Sequence, residues 1–75
     1  MYTNTGKHFI LKTEKTGGLI TLDDKSRWEI SSISDKMKSM MWSVVDDVNV
    51  SDSYGKFKIT HIKRDETVEA TFLPE

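Results

Sequence analysis

The chain has 75 residues, 36% of them apolar and 31% charged, with a net charge of -1 and no cysteine. That length allows one domain, and a domain so small buries only about 60% of the surface its unfolded form exposes. Disulfides are excluded and no cluster of metal ligands is evident, so stability has to come from aromatic packing, a closed sheet or oligomerisation.

Five Val, six Ile and eight Thr stand against one Ala, four Leu and no Gln. β-branched side chains suit a pleated surface better than a helix, so the chain reads as mainly β. Phe9, Trp28, Trp42, Phe57 and Phe72 are spread along it, as one core drawing on every segment requires. No apolar run approaches the ~18 residues of a membrane span, and none follows a basic start as in a signal peptide. The lack of cysteine suits the cytoplasm, although many secreted proteins share it and a removed leader is compatible with these residues.

In chain order, Met1 to Gly6 is polar around a single tyrosine and is expected to form a loose arm. His8 to Lys12 is a first strand with Phe9 and Leu11 sharing the inward face. Gly17-Gly18 marks a turn or bulge. Leu19 to Leu22 is a second strand, its Ile20 and Leu22 on one side, and Asp23 to Ser26 reverses the chain. Arg27 to Ser31 alternates strictly, sending Trp28 and Ile30 inward.

Around 34–41 the pattern changes to one or two helical turns, with Ser32 or Ser34 available as a cap and Asp35 in the first turn. Met37, Met40 and Met41 recur at helical spacing there, and such a stripe is expected to fill the core. Trp42 opens the next extended stretch, Val48 to Val50 is a strand, and Ser51 to Gly55 is a polar turn. Phe57 and Ile59 face inward between Lys56, Lys58 and Thr60. At His61-Ile62 the apolar parity shifts, which predicts a bulge. Lys63 to Glu66 turns the chain into a last strand where Val68, Ala70 and Phe72 alternate with polar residues until Pro74. The expected fold is a single domain over 1–75: a small SH3-like or OB-like barrel of five to six strands with one short helix.

The run Ile20 to Ile30, then Trp42, Asp47-Val48 and Glu66 to Phe72, resembles a family of small uncharacterised bacterial proteins. Its members share a hairpin reading Leu-x-Asp-Gly-Ser-x-Trp-x-Val, a second Trp and a Gly-Asp pair opening a strand. The resemblance spans positions 18 to 73 and implies an SH3-like small barrel; it carries over no site residue. Lys25 stands at the place of the family's turn glycine, and Asp46 at the place of the glycine before Asp47, so a different turn type is expected in the hairpin.

Nothing in the sequence assembles a catalytic set. Thiol chemistry is excluded, and His8 and His61 lie in separate strands with no motif around either. Asp23-Asp24 and Asp46-Asp47 lack the spacing of a calcium loop and read as turn residues. No cofactor and no metal site is expected. Two binding functions are left. The first is a non-enzymatic interaction module for a protein partner or for self-assembly, with Ile10, Leu19 and Ile62 as interface residues because they lie opposite the inward set. The alternative is a barrel for single-stranded nucleic acid or nucleotides, using Lys56, Lys58, Lys63, Arg64 and Tyr54, with Trp42 nearby. Only two arginines and a slightly acidic chain weigh against the second.

Overall fold

The computed structural model describes residues 2–54 and 56–74. Two three-stranded meanders build it: β1 (Gly6–Glu14), β2 (Leu19–Leu22) and β3 (Arg27–Glu29), then β4 (Asp47–Ser53), β5 (Lys56–His61) and β6 (Glu66–Leu73), with α1 (Ile33–Ser39) between them. Antiparallel pairing of β3 with β6 and of β1 with β4 closes the order β1-β2-β3-β6-β5-β4 into a barrel. Closure removes the free edges that an open sheet would expose.

Period-two alternation sets the inner wall. Ile20 and Leu22, Trp28 and Ile30, Val48 and Val50, Phe57 and Ile59, and Val68 and Ala70 all turn inward, as their sequence pattern predicts. β1 reverses the expectation: His8 and Ile10 are inside, while Phe9 and Leu11 are about 40% exposed. That parity is set by pairing with β4, where His8 stands opposite the buried Val48 and Phe9 opposite the exposed Asp47. A register shift between Ile10, opposite Leu22, and Lys12, opposite Thr21, then leaves Leu11 as the extra residue of a bulge and keeps Lys12 outward as well. The bulge expected at His61-Ile62 is absent, because the β4–β5 register runs unbroken to Val48↔His61 and His61 keeps the inward parity. Leu19 is buried beside Ile20, so of the three expected interface residues two, Ile10 and Leu19, lie in the interior and only Ile62 reaches the surface.

β3 has three residues and β6 eight, so the first half of β6 has no strand on that side. The helix α1 fills the gap: the Asp35 carboxylate accepts the Glu69 backbone N–H at 3.1 Å, and the Lys38 ammonium reaches the Thr67 carbonyl at 3.4 Å. Gly17 lets it approach; its φ is +84°, and a Cβ there would lie 2.5 Å from the Met40 amide nitrogen. The buried Ser39 hydroxyl closes the contact by donating to the Gly17 carbonyl at 2.7 Å.

Before β1 the chain, expected as a loose arm, packs against the barrel through Tyr2. Tyr2 is buried in the core with its ring edge-on to Trp28, 4.8 Å between centroids, and close to Phe57 and Phe72. Met1 and Gly55 lie outside the described residues. The polar turn expected over Ser51 to Gly55 is shorter, since β4 continues to Ser53.

Candidate interaction surface

Between α1 and β4 the chain makes a tight turn, Ser43-Val44-Val45-Asp46. The Asp46 N–H donates to the Ser43 carbonyl at 3.1 Å, and the Asp46 carboxylate accepts the Ser43 N–H at 2.8 Å. Val45, third in the turn, has φ +66°, the left-handed region that a β-branched residue rarely enters and that turns of this kind reserve for glycine. It is also 71% exposed. Its N–H donates to the Ile10 carbonyl at 2.7 Å, which seats the turn against β1 between the outward Phe9 and Leu11.

Phe9 pairs with Asp47 across β1 and β4, and the Asp47 carbonyl accepts the Ile62 N–H at 3.1 Å, so Phe9, Asp47 and Ile62 form one outward row. Val45, Ile62, Asp47 and Lys63 share the walls of a cleft of about 120 Å³. The apolar side chains continue back along the chain, where Val44, Met41 and Met40 after α1 and Met37 and Ile33 within it are each about half exposed or more. The methionine stripe therefore corrects its expected role: β6 is reached by the Asp35, Lys38 and Ser39 side of the helix, and the methionines face away from the core. Exposed apolar residues gathered in this way are uncommon on a soluble surface without a use.

Beneath this surface lies a fixed polar base. The buried His61 ring donates from Nε2 to the Asp46 carboxylate at 2.8 Å and accepts the Arg64 N–H at Nδ1, 3.2 Å. Trp42 lies against that ring, 5.2 Å between centroids, and donates Nε1–H to Glu66, which also receives Arg64. The His61 N–H, then the Ser43 amide, hold the Asp46 carboxyl below its ordinary range; the Trp42 N–H, then Arg64, do the same for Glu66. Trp42 is thus a buried closure of the barrel and offers no face to a base.

His8 anchors a second network at the other end of the barrel. Its Nδ1 meets the Asp23 carboxylate at 2.5 Å and its Nε2 the Asn4 carbonyl at 2.6 Å. Asp24 accepts the Tyr2 hydroxyl at 2.6 Å, the Asn4 amide at 3.0 Å, and both the N–H and the hydroxyl of Ser26. Ser26 in turn receives Trp28 Nε1–H at 2.8 Å. His8, Asp23 and Asp24 bring three potential metal-ligating atoms within 4.8 Å of one another. Four donors already occupy the Asp24 oxygens and a protein acceptor faces each His8 nitrogen, so these residues fit a hydrogen-bonded network rather than an ion.

The basic residues considered for nucleic acid are divided. Tyr54, fully exposed, and Lys56 lie at one end of β5, Lys63 and Arg64 beyond the other, about 17 Å apart at the rise of a strand. Lys58, between them, is paired across from Glu69, and Arg64 is bound to Glu66. The turn and the outward row were only partly legible in the sequence; the exposed Val44-Val45 pair next to Asp46-Asp47 was the available signal.

Comparison of the chain with protein families, curated proteins and solved structures returned no match.

Proposed function

We propose that this protein is a non-enzymatic interaction module that docks through the apolar surface centred on Val45, and that the occupant is a second copy of the chain. The observation that carries the reading is Val45 itself. A β-branched residue held at positive φ costs of order 1–3 kcal/mol, and nothing in the fold compensates by burying its side chain. Strain kept at an exposed apolar position is the mark of a surface maintained for contact.

The rim favours a copy over an unrelated partner. Asp47 and Lys63 line the same cleft, and neither forms an ion pair with another described residue, so a two-fold axis near Val45 would set each Asp47 against Lys63 of the second copy. Against catalysis stand both histidines, whose nitrogens are all engaged within the protein. Light scattering coupled to size exclusion at two protein concentrations tests the reading. A mass that rises toward the dimer with concentration, and returns to the monomer in Val45→Asp or Ile62→Asp, is expected; a monomer mass throughout overturns self-association. Polarisation binding to a mixed oligonucleotide would overturn the whole reading if it is tight, salt-sensitive and lost in Lys56→Glu with Lys58→Glu.

A further inference from the structure

The arm, residues 2–5, is not held as a strand. The β1–β4 ladder stops at Gly6↔Val50, and Gly6 sits at φ +111° with open space on its Cβ side, a conformation suited to a hinge. Side chains fix the arm instead: Tyr2 through its ring and hydroxyl, Asn4 through its amide, and the Asn4 carbonyl through His8 Nε2.

That last contact depends on a proton. His8 Nε2 lies 2.6 Å from a carbonyl oxygen and Nδ1 lies 2.5 Å from a carboxylate oxygen. Both partners are acceptors only, so both ring nitrogens must carry hydrogen. The Tyr2 hydroxyl, 3.2 Å from Nε2, cannot relieve this, because its single proton is directed to the Asp24 carboxylate at 2.6 Å. The ring is therefore an imidazolium with its side chain only 5% exposed. Asp23 and Asp24, from the β2–β3 turn, and the Tyr2 hydroxyl, from the arm, are the ionisable groups that face it. β4 presents the apolar Val48, and His61, on the far side of Val48, is tied to Asp46.

We infer that residues 2–5 are a lid latched by protonated His8, and that loss of the proton releases it to uncover an aromatic cup. Without the second proton, Nε2 faces Asn4, or Nδ1 faces Asp23, lone pair to lone pair. The arm can leave and the strand carrying His8 cannot, since β1 is paired on both sides. What the lid covers is Trp28, Phe57 and Phe72, and Tyr2 also forms part of the wall of an open cleft of about 500 Å³ beside them, so release enlarges that cleft into the barrel end. Burial opposes the charged ring, and the Asn4 carbonyl with the two carboxylates outweighs it, leaving the His8 pKa above its ordinary value of 6.5.

Nuclear magnetic resonance over about pH 5 to 9 tests the latch. The expected result is a His8 ring with both nitrogens protonated at neutral pH and a midpoint above 6.5. Through that same midpoint the heteronuclear NOEs of the Asn4 and Thr5 amides should fall, those of Val48 and Ile59 should stay constant, and acrylamide quenching of Trp28 in a Trp42→Phe background should rise. Asp23→Asn should move the midpoint and the opening together to lower pH, and His8→Gln, with its barrel amides unchanged, should have a mobile arm at every pH. A His8 midpoint at or below 6.5, arm amides indifferent to its titration, or arm and barrel amides melting together would each overturn the inference.

Discussion

His8, Asp24 and Trp28 show how single residues set the stability of this barrel. Because the folded chain holds the His8 proton more tightly than the unfolded one, its contribution is complete below about pH 6.5 and is lost as pH rises through the raised value. Asp24 behaves oppositely. Burial works against its charge, but the hydroxyls of Ser26 and Tyr2 and two amide donors hold its pKa far below the ordinary 3.8, so its contribution is complete above about pH 4 and is lost in acid. Thermal unfolding should accordingly show its highest Tm between about pH 4.5 and 6.5, with the decline from there to about pH 9 absent in His8→Gln and the acid decline reduced in Asp24→Asn. Trp28 is fully buried, edge-on to Tyr2 and Phe57, with its N–H on Ser26. Truncation to Ala should cost ~3–5 kcal/mol in urea denaturation, close to the whole stability of so small a domain. Its aromatic neighbours make the loss worse than area alone implies, since three rings lose a partner together.

At the level of elements, the turns carry the strain. In the β2–β3 hairpin Lys25 has φ +69°, its N–H donates to the Leu22 carbonyl at 2.8 Å, and the Leu22 N–H returns to the Ser26 carbonyl at 2.9 Å. Lys25 itself takes the left-handed conformation that a glycine would supply more readily. Asp24 makes that tolerable by accepting both Ser26 donors. Lys25→Gly should then raise stability by up to ~1 kcal/mol, read as a shift in the urea midpoint at constant slope. Gly17→Ala should do the reverse. Both its positive φ and the 2.5 Å approach to Met40 forbid a Cβ, so the substitution should displace α1 from β6 and cost ~2 kcal/mol or more, with the helical circular-dichroism signal falling before the barrel unfolds.

For the whole molecule, closure couples the two ends. Tyr2 and Trp28 pack at the arm end and Trp42 at the helix end, yet all three belong to one continuous core that includes Ile10, Ile59 and Val68. Urea transitions followed by Trp28 alone, in Trp42→Phe, and by Trp42 alone, in Trp28→Phe, should each coincide with the transition of the same variant's far-ultraviolet signal. A barrel that came apart strand by strand would separate them.

Alternation was enough to place β2, β3, β5 and β6 and to send Trp28, Ile30, Phe57, Ile59, Val68 and Ala70 inward, because in a half-buried strand the period of two is imposed by the backbone itself. The number of strands and the position of the helix were legible for the same reason: Gly17-Gly18, Asp23-Asp24 and Lys63 to Glu66 break the pattern with turn chemistry. What the sequence could not decide were the places where a partner distant along the chain sets the answer. His8 looks polar, and it is interior only because Asp23, fifteen residues on, meets its ring. Phe9 and Leu11 look like core, and they are outside because β1 pairs with β4 in the register that sets His8 opposite the buried Val48, which leaves Phe9 and Leu11 on the outer face. Tyr2 looks like a stray residue of a polar arm until closure of the barrel makes a cup for it. Met37 in α1, and Met40 and Met41 after it, are exposed because polar contacts of Asp35, Lys38 and Ser39 chose the other side of a two-turn helix. In each case local periodicity fixes which residues share a face, and only the tertiary pairing, whose hydrogen-bond partners lie far away in sequence, decides which face is buried.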